Sequence, residues 1–190
     1  MINHKHKFIF THIPKCAGSS IHESLGGKGY SNHKTLEEDL MTSKQAKHYF
    51  KFTFVRNPWD RFISAYFYFK KYGRDGNGDV KMGNIVNRYN SFKDFVLNFN
   101  KIPASDWVYP HFKEQINWVC GNHDFIGKSE NLQQDFNIIC EKIGIPKQQL
   151  LHTNKSNHKH YTDYYDDETR QIVAEKYAKD IQCFNYKFGE

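Results

Sequence analysis

Phe8-Ile9-Phe10-Thr11-His12-Ile13-Pro14-Lys15-Cys16-Ala17-Gly18-Ser19-Ser20-Ile21-His22-Glu23-Ser24-Leu25 is the stretch on which the fold turns. Phe8, Ile9, Phe10 and Ile13 form a short apolar run rich in β-formers, which suits a buried parallel strand. Pro14 has no N–H and ends the ladder. Lys15, Cys16, Ala17 and Gly18 make a tight loop of mostly small side chains. Ser19 and Ser20 suit the mouth of a helix that carries Ile21 and Leu25 on one face, and Gly26, Gly27 and Gly29 stop it. A strand, a small-residue loop and a helix in that order aim backbone N–H groups at an anion. Two serine hydroxyls and the Lys15 ammonium add donors, so the stretch predicts a phosphate cradle with one lysine. The plainer reading is a strand-to-helix turn with a solvated lysine. The triphosphate-binding loop places Gly-Lys-Ser/Thr after Gly and four residues. Here the lysine precedes the glycine and the loop is shorter, so a donor with fewer phosphates is expected.

Working outward, residues 50–56 (Phe-Lys-Phe-Thr-Phe-Val-Arg) read as a second strand, with Phe50, Phe52 and Phe54 alternating. Asn57-Pro58 then opens a helix, Asn as cap and Pro in the first turn. Trp59, Phe62, Ile63, Tyr66, Phe67 and Phe69 mark its buried side. Arg56 leaves the end of a strand, where open α/β sheets place ligands. An arginine fork there and the Ser64 hydroxyl two turns on could hold a second phosphate. The plainer reading is an Arg56–Asp60 ion pair with Ser64 packed in the core. Between the two strands, Thr35-Leu36-Glu37-Glu38 reads as a capping box. His33 precedes it in a polar loop.

Residues 72–89, rich in Gly, Asn and Asp, read as a mobile loop. Ser91 caps a helix carrying Phe92, Phe95, Val96 and Phe99. Residues 102–110 read as a loop whose Trp107 and Tyr109 could stack on a sugar. Residues 111–119 predict a short helix and residues 124–128 a third strand. Asn131 opens a helix bearing Leu132, Phe136, Ile139 and Ile143, ended by Gly144. Leu150 and Leu151 suggest a last short strand. A basic polar loop over 153–161 includes Lys155, Ser156 and Tyr161 and could close over an anion. Residues 166–186 predict one final helix, acidic at its start.

The chain has 190 residues and 16% aromatics, enough for one domain over 1–190 with a Phe- and Tyr-rich core. Its net charge of +6 points to anionic partners. Cys16, Cys120, Cys140 and Cys183 form no CxxC pair, which favours free thiols in a reducing, cytoplasmic compartment. The Met-Ile-Asn-His-Lys-His-Lys start lacks the apolar run of a signal peptide, and no integral membrane segment is expected.

The pairing of Phe-Thr-His-Ile-Pro-Lys-Cys-Ala-Gly-Ser-Ser with Phe-Val-Arg-Asn-Pro-Trp-Asp-Arg-Phe-Ile-Ser-Ala-Tyr resembles the double signature of sulfotransferases that use 3′-phosphoadenosine-5′-phosphosulfate (PAPS). The likeness is to the carbohydrate sulfotransferase branch. It extends through Asp-Phe-Ile-Gly-Lys-Ser-Glu-Asn-Leu and through Asn154-Lys155-Ser156 with Tyr161. Lys128-Ser129 departs from the arginine and aromatic often found in the family. The resemblance implies an α/β, P-loop-like fold with a central, mainly parallel sheet flanked by helices. It implies that Lys15, Cys16, Ala17, Gly18, Ser19 and Ser20 bind the 5′-phosphosulfate and that Arg56 and Ser64 bind the 3′-phosphate. Lys155, Ser156 and Tyr161 would cover the cofactor, with adenosine 3′,5′-bisphosphate as the product.

Sulfuryl transfer needs alignment and charge stabilisation more than covalent chemistry. A Lys15 ammonium near the bridging oxygen would stabilise the charge that develops there. An acceptor hydroxyl, on a carbohydrate or another compound, needs a base. Imidazole, with an ordinary pKa near ~6.5, suits that task, and His33 matches in position the histidine used by some carbohydrate sulfotransferases. His111 is a substitute. The chemistry requires no metal, and His4-Lys5-His6 and His158-Lys159-His160 lack a clear ligand set. Three readings compete: a nucleotide kinase-like enzyme, against which the missing triphosphate loop counts, a basic nucleic-acid-binding protein, and a non-catalytic glycan-binding module that retains the fold, against which Lys15 counts. The favoured reading involves no nucleic acid partner.

Overall fold

The computed structural model describes residues 1–28, 33–72, 80–102, 110–119, 123–150 and 159–190. In chain order the regular elements are β1 (Ile2–Asn3), β2 (Phe8–Thr11), α1 (Gly18–Ser24), α2 (Leu36–Thr42), β3 (Phe50–Val55), α3 (Pro58–Tyr72), α4 (Val80–Asn87), α5 (Phe92–Asn98), α6 (Ile116–Val119), β4 (Phe125–Lys128), α7 (Leu132–Ile143), α8 (Asp167–Lys176) and α9 (Ala178–Phe184). The four strands form one sheet in the order β1-β2-β3-β4. β1 joins antiparallel, while β2, β3 and β4 run parallel. This is the α/β fold with a mainly parallel sheet that the apolar runs imply. The chain gathers into two compact units, residues 1–56 with 115–155 and residues 57–114 with 156–190. The one-domain reading of 1–190 stays an expectation.

The first unit holds the sheet. β2 is buried at all four positions, because a parallel strand is covered on both faces. Its register sets Phe8 against Phe50 and Phe10 against Phe52. The Phe10 and Phe52 rings stack with centroids 5.2 Å apart. On the far side of β3, Phe54 lies opposite Gly127, where a Cβ would fall 2.6 Å from the Phe54 ring. Only glycine leaves room for that ring. Since β2 and β3 are parallel neighbours, the loops that follow them leave from the same edge of the sheet.

The second unit is helical and aromatic. Phe62, fully buried, touches the rings of Phe92, Phe95, Phe99, Phe112 and Tyr177 at centroid distances of 5.0 to 6.1 Å. Arg61 is buried beside this cluster, its guanidinium donating to the carbonyls of Lys113 (2.8 Å) and Pro110 (3.4 Å). Asn57 Oδ1 accepts from the Trp59 N–H (3.2 Å), which is the cap foreseen for α3.

Several elements depart from the sequence reading. Residues 80–87 are helix α4 rather than mobile loop, because Met82, Ile85 and Val86 bury one face. That burial outweighs the roughly 1 kcal/mol that Gly83 costs a helix. The expected helix over 111–119 is a 3-10 turn at Pro110–Phe112 followed by α6. The buried Arg61 guanidinium takes the Lys113 and Pro110 carbonyls there. The single helix over 166–186 breaks at Tyr177, whose buried phenol donates to the Phe112 carbonyl (2.9 Å). Leu150 is not in a strand; its N–H donates to Gln133 Oε1 (2.9 Å). β1 has no counterpart in the sequence reading, since Ile2-Asn3 is too short for a period. The capping boxes foreseen at Thr35 and the αL glycine at Gly144 are present. Gly29, Trp107, Tyr109, Cys120 and Leu151 lie outside the described residues.

Candidate functional site

After Thr11 the chain turns through Pro14 to the first residue of α1 at Gly18. Lys15 (φ 68°) and Ala17 (φ 59°) are left-handed, and Cys16 between them is not. Non-glycine residues avoid that region at roughly 1–2 kcal/mol each. Alternation of hands along a short turn is the backbone pattern of anion-binding nests. Gly18 closes the turn under the His12 ring, where a Cβ would fall 1.9 Å from His12 Cδ2. Cys16 is buried, Lys15, Ala17 and Ser20 are half-buried, and Ser19 is exposed.

Arg56 stands at the end of β3, beside this turn. Its Nη1 donates to the Lys15 carbonyl at 3.2 Å. The two motifs that the sequence separates by some forty residues are therefore in contact through the Arg56 guanidinium. A third segment completes the arrangement. Gln115, fully buried, accepts the Arg56 N–H on Oε1 (2.8 Å) and donates from Nε2 to the Arg56 carbonyl (2.9 Å). The same Oε1 accepts from the Cys16 thiol at 3.2 Å. Nothing in the sequence reading singled out Gln115; a lone glutamine in a polar run carries no pattern.

His33 lies on the same unit. Its Nδ1 is 3.1 Å from the His12 carbonyl. A carbonyl oxygen only accepts, so Nδ1 carries the hydrogen and neutral His33 presents its lone pair on Nε2. The Trp118 indole N–H donates to the His33 carbonyl (3.0 Å), fixing the backbone as well. The His33 ring meets the His12 ring edge-on at 4.5 Å. His12 stacks on Phe10 at 5.9 Å, and its buried Nδ1 has no hydrogen-bond partner among the described residues. Burial first, then the charges of His33, His22, the N-terminal ammonium and Lys15, push the His12 imidazole down to about 3. His12 is thus a neutral ring packed against Gly18 and His33. The sequence reading missed it because a lone strand-end histidine has no signature.

The remaining expected residues fall in the second unit or outside the description. Ser64 is buried in α3. The buried Tyr161 phenol accepts from Asn57 Nδ2 (3.3 Å) and the Gly189 N–H (2.6 Å) and donates to the Glu190 carbonyl (3.2 Å). His111 stacks on Tyr68 at 5.2 Å and meets Phe69 edge-on at 5.0 Å. Lys155 and Ser156 lie outside the described residues. Cys16, Cys140 and Cys183 are free thiols. Among the described residues, no cluster of His, Cys, Asp or Glu could hold a metal ion, and no helix is long and apolar enough to cross a membrane.

A strand, a left-handed turn and a second strand linked to that turn through Arg56 place the first unit among parallel α/β sheets, and comparison with known sequences gives the class. The sequence profile described as "Sulfotransferase family" matches residues 1–187, and the chain belongs to that family. Carbohydrate sulfotransferase 14 of Danio rerio is 28% identical over 180 residues, covering 77% of this chain and 48% of the relative. Carbohydrate sulfotransferase 9 of Homo sapiens is 23% identical over 219 residues, covering 95% of this chain and 47% of the relative. An uncharacterized protein of Archaeoglobus fulgidus is 28% identical over 118 residues, covering 60% and 82%. The chain spans about half the length of the carbohydrate sulfotransferases it matches. No solved structure matches it.

Proposed function

We propose that this chain transfers a sulfuryl group from PAPS to a hydroxyl of a carbohydrate. The observation that carries the reading is the contact between the left-handed turn at Lys15 and Ala17 and the Arg56 guanidinium, which gathers two anion-binding motifs at one sheet edge. Family membership and the names of the relatives support the choice of donor and of acceptor class. The donor set fits phosphate and sulfonate: backbone N–H groups of residues 15–18, the hydroxyls of Ser19 and Ser20, and the charges of Lys15 and Arg56.

In this reading the cradle of Lys15, Cys16, Ala17, Gly18, Ser19 and Ser20 holds the 5′-phosphosulfate of the donor, and Arg56 holds its 3′-phosphate. Ser64, Lys155, Ser156 and Tyr161 remain assigned to the donor on sequence resemblance. The S–O bond to the nucleotide phosphate breaks as a new S–O bond forms to the acceptor. The departing nucleotide keeps the electron pair, and the Lys15 ammonium stabilises that oxygen. His33 Nε2 takes the acceptor proton. Its Nδ1–H bond to the His12 carbonyl holds it in the tautomer that can do so. No metal takes part. A cytoplasmic location is supported by the free thiols of Cys16, Cys140 and Cys183.

The test is calorimetric. Adenosine 3′,5′-bisphosphate should bind more tightly than AMP, and Arg56→Ala should weaken the bisphosphate by about 2 kcal/mol, roughly thirtyfold. Equal affinities for the two nucleotides would reject the assignment. A labelled sulfuryl donor offered with a panel of glycans then identifies the acceptor.

A further inference from the structure

Gln115 sits where three segments of the first unit meet, and its side chain is spent on two of them. The amide group forms a two-way bond with the Arg56 backbone, Oε1 taking the N–H and Nε2 giving to the carbonyl, at 2.8 and 2.9 Å. This is the pairing that a neighbouring β-strand would supply at the point where β3 ends at Val55. The same oxygen accepts the Cys16 thiol, 3.2 Å away, in the middle of the left-handed turn. Gln115 is fully buried, so these bonds form away from water.

We propose that Gln115 is a positioning residue for the donor nucleotide: it fixes the Arg56 backbone so that the guanidinium is aimed, and it ties that backbone to the Cys16 turn. Arg56 is the residue that emerges from an ending strand, with no further ladder beyond it. A guanidinium on four rotatable bonds gains its aim only if its own Cα is held. The Arg56 Nη1 bond to the Lys15 carbonyl closes a ring of contacts, Gln115 to Arg56 to Lys15 and, through Cys16, back to Gln115. Cys16 enters this ring through its buried thiol, which also lies 3.6 Å from the Pro14 carbonyl.

This inference rests on the reading of Arg56 as the 3′-phosphate ligand. The experiment compares wild type, Gln115→Met, Arg56→Ala and the double variant, with calorimetric affinities for adenosine 3′,5′-bisphosphate and AMP. Methionine has nearly the length and volume of glutamine, so it preserves packing while removing every hydrogen bond. Gln115→Met should weaken the bisphosphate about tenfold and shrink its preference over AMP, and it should add little in the Arg56→Ala background. A packing role would leave the preference unchanged in Gln115→Met. A Gln115→Met protein that keeps the wild-type preference overturns this inference alone. A wild type with no preference overturns it together with the functional reading. If Gln115→Met does not fold, amide exchange of the nucleotide-free wild type decides. Protection of the Arg56 N–H supports the clamp, and exchange at the rate of open chain overturns it.

Discussion

The two units of this chain are held together by different physics. In the helical unit, Phe62 and its five ring neighbours form a core whose parts are interchangeable in kind: apolar, close-packed and without directional demand. In the sheet unit, the residues around the left-handed turn are fixed by directional bonds. Arg56 is held to Lys15, Gln115 to Arg56, and His33 to His12. The difference teaches where substitutions should register. Damage to the first kind of region lowers stability, and damage to the second lowers binding or turnover in a protein that still folds.

The sharpest challenge to that contrast is Phe62→Ala, expected to cost about 3–5 kcal/mol of stability in chemical denaturation. A loss below about 1 kcal/mol would mean that the rings are not what holds the helical unit. Next in size is Lys15→Met, expected to lower turnover about a hundredfold or more while the unfolding midpoint stays at the wild-type value. A parallel fall in stability would erase the distinction between the two regions. His33→Ala separates the halves of the reaction. Transfer to a hydroxyl should fall about a hundredfold, with the nucleotide dissociation constant within about twofold of wild type. Wild-type turnover in that variant would remove His33 as the base and turn attention to His111.

The remaining effect is a slope rather than a step and belongs to His12, which joins both kinds of physics. It is held neutral down to about 3, against an ordinary 6.5. Below pH 6.5 the unfolded chain takes up a proton there that the folded chain refuses. Stability contributed by this imidazole is therefore complete above pH 6.5 and falls toward pH 3, by at most about 1.4 kcal/mol per pH unit. His12→Gln should flatten the acid limb of stability against pH. An unchanged slope would mean that His12 is solvated in the native protein.

Much of the sheet was legible because its cues are local. Apolar runs at 8–13 and 50–56, Pro14 as a stop, Pro58 as a helix opener, and Thr35 as a cap each act within a few residues. The helices at 80–87 and the break at Tyr177 were not, because their causes are tertiary: burial of Met82 and Val86, and a phenol bonded to the Phe112 carbonyl. The turn at residues 15–18 stood out for the same local reason, and its contact with Arg56 followed from parallel pairing of β2 and β3. Gln115 and His12 were opaque. One acts through bonds that span 59 positions of sequence, and the other through its backbone carbonyl, an atom every residue has.

The glycine at 127 carries a consequence for how this sequence can change. A methyl group there meets the Phe54 ring at 2.6 Å, so the two positions are not independent sites of variation. Alanine at 127 is admissible only after Phe54 has been replaced by something smaller, and a smaller residue at 54 leaves a void until 127 fills it. A lineage drifting through this pair must accept one damaged intermediate, and the order of the two steps decides which damage it is. Phe54 lies two residues before Arg56 on the same strand. Historical contingency at an interior glycine would therefore be felt at the strand end from which Arg56 emerges.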